Sequence, residues 1–169
     1  MSVFFDTNVL VYAIDPEHPA KCAVALSLLR RHTGDRTLVV STQVLQEFYS
    51  VAVRRKFLDA AQALEMVREL TMAHVVGSSA EFVVRALELA RHERLSSWDA
   101  LVLQAALDAG CSTLLSEDFQ HGRRYGALDV IDPFKGSAHE PVPAGTGAGA
   151  APRRSRPARP SPRPPRPRG

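Results

Sequence analysis

Over its first 134 residues the chain alternates short β-branched or aliphatic runs with segments of helical period, and this alternation constrains the fold more than any other feature. The runs are Val3 to Phe5, Thr37 to Val40, His74 to Val76, Thr113 to Leu115 and Asp129 to Ile131. Between them, apolar residues recur every three or four positions. Pro19 to Arg31 is followed by Gly34 as a helix stop, and Thr42 to Arg55 carries Val44, Phe48, Val51 and Ala52 on one face. Asp59 to Thr71 and Ser79 to Glu93 open on Asp and Ser caps, and Ser97 to Ala109 ends at Gly110, a good residue just past a helix. Strands separated by helices pair in parallel through crossovers, which predicts an α/β fold, a three-layer α/β/α sandwich.

The pattern stops at Lys135. Residues 136–169 run through Gly, Ala and Pro into RRSRPARPSPRPPRPRG, with no aliphatic or aromatic residue larger than Ala after Val142. Such a segment cannot offset its ordering entropy by burial. The expected organisation is one folded domain over 1–135 and a disordered Pro/Arg-rich tail over 136–169, either a solubilising extension or an arm for RNA or a partner.

The net charge of +3 averages two unlike regions. Residues 1–135 hold 14 Lys+Arg against 17 Asp+Glu, a balance of −3, while 136–169 hold 7 Arg against Glu140 alone. Cys22 and Cys111 match neither a disulfide framework nor a metal-binding CxxC, and read as buried thiols. The N-terminal apolar run is broken at Asp6 and lacks the marks of a secretory signal, and no apolar stretch approaches the roughly 20 residues of a membrane helix. The expectation is a soluble cytoplasmic protein.

Four carboxylates stand where local pattern aims them at one crevice. Asp6 directly follows VFF and Asp118 lies just past TLLS, so both project from the carboxyl ends of strands, where open α/β sheets bind ligands. Each also suits a local role, Asp6 as a helix cap before Asn8 to Ala13 and Asp118 as a turn residue. Glu47 lies three residues after Val44 and four before Val51, on the predicted buried stripe, where a carboxylate needs a cation or a wet cleft, unless it reaches solvent from the stripe's edge or pairs with Arg54 or Arg55. Asp99 stands in the first turn of SSWDALVLQAAL, where Ser96 and Asp99 also fit a capping box. Acids gathered in one pocket repel unless a cation compensates them, and oxygen donors suit Mg²⁺ or Mn²⁺.

The segments VFFDTNVLVYAID, STQVLQEFYSVAVRR, LSSWDALVLQAAL and LLSEDFQHG, in this order, resemble the PIN-domain ribonucleases, most closely the VapC-type toxins of bacterial toxin-antitoxin pairs. The resemblance covers residues 1 to about 134. It implies a five-stranded, mainly parallel sheet and a divalent-metal-dependent endoribonuclease. It assigns Asp6, Glu47, Asp99 and Asp118 to the acidic metal site and Asn8 and Ser116 to its supporting polar residues; among the acids, Asp6, Asp99 and Asp118 are expected as metal ligands and Glu47 as a ligand or the group that orients the attacking water. It also implies a small antitoxin that blocks the site and a tendency to dimerise. The Pro/Arg tail departs from the compact family pattern.

Thr7 is expected to order the turn, and Glu117 ranks behind Asp118 because consecutive turn side chains diverge. Trp98, Phe48 and Tyr49 read as core or core-edge aromatics, and the six histidines as surface or turn residues. Two rival classes remain. A haloacid-dehalogenase-like phosphatase needs DxD where Asn8 now stands, and an inactive RNA-binding module of the same fold would be expected to lose an acid. A housekeeping nuclease outside any toxin pair is the third alternative.

Overall fold

The computed structural model describes residues 1–135, so the expected tail lies outside the described residues. Within them the elements run β1 (Val3–Phe5), α1 (Thr7–Tyr12), α2 (Pro19–Gly34), β2 (Leu38–Ser41), α3 (Thr42–Arg54) and α4 (Ala60–Leu70). They continue as β3 (His74–Val76), α5 (Ala80–Glu93), α6 (Ser97–Asp108), β4 (Thr113–Leu115), β5 (Arg124–Tyr125) and β6 (Leu128–Ile131). The sheet order is β3-β2-β1-β4-β6-β5.

The five expected strands pair in parallel, with Val3 beside Leu38 and Thr113, Val39 beside His74, and Thr113 beside Asp129. The sheet nonetheless has six strands and is mixed, because β5 pairs antiparallel with β6. The expectation missed β5 because a two-residue strand carries no readable period. Its marker is the tight connection at Gly126, whose φ of 61° a hairpin turn requires.

β1 and β2 are buried along their whole length, as strands covered on both faces must be. Phe4, Phe5, Phe48, Leu10, Leu103, Leu114 and Leu128 form the centre of the core. The steps β1 to β2 to β3 run one way and the return from β3 to β4 runs the other. Right-handed crossovers then put connecting helices on opposite faces, which makes the sandwich. The reversal falls between β1 and β4, and that is where a crevice must open.

The caps follow the local chemistry. Ser41, Ser79 and Ser96 accept from the backbone N–H three residues on, and Asp59 forms a full capping box with Gln62. The helix stop expected at Gly34 lies further on: α2 runs through Gly34 and the left-handed turn falls to Arg36, with φ 56°. Cys111 is buried as expected, and burial pushes its thiol up to about 11, but Cys22 is only half-buried, its thiol against the Ala13 carbonyl. Among the described residues no helix is long and apolar enough to cross a membrane.

Candidate active site

Asp6 leaves the end of β1 and starts α1, so its cap role and its place in the crevice coincide. It is 6% exposed. One carboxylate oxygen accepts from the Thr7 N–H at 2.7 Å, and the other accepts from Ser116 Oγ at 2.6 Å and Asn8 Nδ2 at 3.2 Å. Burial pushes this carboxyl up to about 6; the bonds from Ser116 and Thr7 oppose the rise, and the charges of Asp118 and Glu47 add to it.

The end of β4 supplies the opposite side of the same knot. Asn8 Nδ2 also donates to Ser116 Oγ at 3.1 Å and to Asp118 Oδ2 at 3.0 Å, and Ser116 Oγ accepts the Asp118 N–H at 3.1 Å. The backbone ties these strand ends directly, Asp6 N–H to the Leu115 carbonyl at 3.1 Å. Asn8 and Ser116 thus hold two carboxylates of like charge at a set spacing, with donors between them.

Glu47 reaches the cleft from α3. It lies on the exposed edge of the helix, not on the buried stripe expected for it, because the stripe runs through Val44, Leu45, Phe48 and Ala52 and leaves position 47 to one side. It needs no arginine: buried Thr7 donates its hydroxyl to Glu47 Oε2 at 2.8 Å. Thr7 therefore does more than order the turn, and only the meeting of α1 with α3 reveals it.

Asp99 is half-buried at the start of α6. Only the Ser96 half of the expected capping box is present, Asp99 N–H to Ser96 Oγ at 3.1 Å, which leaves the carboxylate to the cleft. Trp98 departs from its expected core role. It is 67% exposed, since the adjacent buried positions of α6 are Ala100, Val102 and Leu103 and residue 98 faces away from them.

Glu117 and Asp118 do diverge. Glu117 accepts from the Tyr12 hydroxyl at 2.7 Å and pairs with Lys21, whose ammonium stands 4.2 Å over the Tyr12 ring. That pair neutralises Glu117 at the rim. Asp118 stays on the exposed side, held by Asn8.

A cavity of about 230 Å³ is lined by all four acids, with Arg55 and Trp98 at its wall. The acids ring it without closing into one coordination sphere. Among the described residues, the threesome whose ligand atoms lie within 4.8 Å of one another is Asp15, Glu17 and His18. There Asp15 already accepts from the Glu17 N–H and contacts the His18 ring, closing the turn into α2. Burial is the main cause that raises Asp6 to about 6, repulsion from Asp118 and Glu47 adds less, and a nearby positive charge would oppose both. The oxygen-only donors fit a hard divalent cation, which would supply that charge. Among the described residues Arg54 and Arg55, both exposed, form no ion pair.

The family model of the PIN domain matches residues 3–126. Among solved structures the chain is similar to VapC20 of Mycobacterium tuberculosis, a sarcin-ricin loop cleaving toxin, at 24% identity and a TM-score of 0.52, covering 69% of this chain and 92% of that one. It is similar also to VapBC2 from Rickettsia felis, solved bound to a DNA fragment from its promoter, at 22% identity and a TM-score of 0.56, covering 77% of this chain and 97% of that one. At these identities the likeness shows the shared fold. No curated protein matches the chain.

Proposed function

This chain belongs to the PIN-domain family, and on that premise we propose that it is a divalent-metal-dependent endoribonuclease, the toxin of a toxin-antitoxin pair. The fold and its acidic cluster support metal-dependent nuclease chemistry in general. The observation that carries the finer reading is the cleft itself. Carboxylates from two strand ends and two helices line one cavity at the switch point of the sheet, with a buried Asp6 at its base. RNA as substrate is supported by the activity of the M. tuberculosis relative, and a protein antitoxin by the R. felis assembly.

Asp6, Asp99 and Asp118 would hold Mg²⁺ or Mn²⁺. When bound, the ion lowers the pKa of a water and stabilises charge on the phosphate oxygens. The chain's own residues do the rest. Ser116 and the Thr7 N–H favour the ionised form of Asp6, and Asn8 sets the spacing of Asp6 and Asp118. Thr7 occupies one oxygen of Glu47 and so leaves the other to orient the attacking water and take its proton. Arg55 is placed on the cavity wall to meet a phosphate. Attack by water breaks the bond to the 3′-oxygen and leaves a 5′-phosphate and a 3′-hydroxyl, with no call on the 2′-hydroxyl or on a histidine pair. The protein would act in the cytoplasm, as a dimer blocked by its antitoxin.

The test is cleavage of a labelled RNA by purified protein with Mg²⁺ or Mn²⁺ and with EDTA, beside Asp99→Asn. Cleavage that EDTA and the substitution both abolish, leaving 5′-phosphate ends, is expected. Cleavage indifferent to both would sink the site. Expression without the antitoxin should arrest growth; normal growth at high soluble yield would separate a housekeeping nuclease from a toxin.

A further inference from the structure

Trp98 leaves most of a large apolar side chain in water directly beside Asp99, and stability does not explain it. It borders two hollows: the acidic cleft and a second cavity of about 350 Å³ between α3 and the start of α6. The two share Gln43, Glu47, Val51 and Trp98, so whatever fills the second is continuous with the first. Besides Val51 and the indole, Gln46, Ser50 and Arg54 stand around the second. Gln43, on the shared boundary, buries an Oε1 that meets no hydrogen-bond donor.

We propose that this second cavity is a nucleobase subsite, in which an unpaired base next to the scissile phosphate stacks on Trp98. The inference rests on the RNA-cleaving reading and names a feature of substrate binding within it. Every base has a π-face, so an exposed indole supplies a platform whatever the sequence. Arg54, exposed on the same wall, supplies a guanidinium for the flanking phosphate. An apolar helix of a protein partner would leave the Arg54 charge desolvated without a partner, which disfavours it. A base held here must be splayed out of any helix, so the subsite selects single-stranded or looped RNA over duplex.

The chain has one tryptophan, so its emission reports this position alone. Full-length protein titrated with a single-stranded RNA oligonucleotide in EDTA should lose Trp98 fluorescence through stacking, and the same RNA as a duplex should quench much less. With metal, Trp98→Ala should raise KM for that RNA by roughly 5- to 100-fold with kcat little changed, and Trp98→Phe should recover part of the loss. Quenching without any cleavage would keep the subsite and remove the nuclease reading. Cleavage with no quenching, and with Trp98→Ala matching the parent protein, would overturn the subsite alone and assign the indole to a protein contact.

Discussion

The two sides of the cleft are built differently. On the strand side, Asp6 and Asp118 are held in a closed knot through Asn8, Ser116 and two backbone N–H groups. On the helix side, Glu47 has one bond from Thr7, and the Asp99 carboxylate stands beside an exposed Trp98. The strand side is preorganised at Asp6, whose oxygens cannot move without breaking several bonds at once, while the exposed Asp118 carboxylate is tied to that knot by its bond from Asn8. The helix side can adapt, which suits groups that must meet a substrate of variable shape.

Asp6→Asn should break the contrast outright. It removes the charge at the base of the site, and metal-dependent RNA cleavage should fall by roughly 10³-fold or more while circular dichroism stays native. Activity within tenfold of the parent protein would show that the strand side is not the catalytic one.

The cost of preorganisation should appear next, in the metal-free protein. Asp6 titrates at about 6 in the folded chain against an ordinary 3.8, so folding takes up a proton between those values. The stabilisation is complete below about pH 4 and is lost as pH rises through about 6, a change on the order of 3 kcal/mol at most. Thermal melts in EDTA should therefore gain stability from pH 7.5 to pH 5 relative to Asp6→Asn, and divalent ion should recover the difference at pH 7.5. Parallel pH profiles for the two proteins would remove the charge-deficit argument.

Ser116→Ala tests the knot without touching a carboxylate. It takes one donor from buried Asp6 and one acceptor from the Asp118 N–H, and activity or metal affinity should drop about 10- to 100-fold. The smallest effect is expected across the cleft. Thr7→Val keeps the shape, loses the single bond to Glu47, and should lower kcat about 2- to 10-fold. Equal losses for Ser116→Ala and Thr7→Val would mean that the two sides are equally ordered.

The legible part of the site was the part that local rules govern. Asp6 ends a strand and caps a helix, and VFFDTN states both within six residues. Asp99 follows a Ser cap in LSSWD. Glu47 was harder, because the phase of a helix read from Val44 and Val51 differs from the phase set by Leu45 and Phe48, and the sheet decides between them. Trp98 was misassigned for a related reason: apolar residues next to a helix start look buried until the neighbour that would cover them proves to be a cleft. The short strand β5 had no period to read, and only its pairing with β6 defines it.

Strand and helix order, the caps and the placing of acids at element ends are local matters, set by side-chain period and by hydrogen bonds over three or four positions, and the amino-acid sequence alone determined them. The contacts that make a site of those acids join residues 40 to 110 positions apart, Thr7 with Glu47 and Asn8 with Asp118. Their geometry depends on how the sheet closes its order at β1 and β4 and on how α3 and α6 pack beside that edge. Only the tertiary structure could decide it, because no local energy term distinguishes a carboxylate facing solvent from one facing another carboxylate.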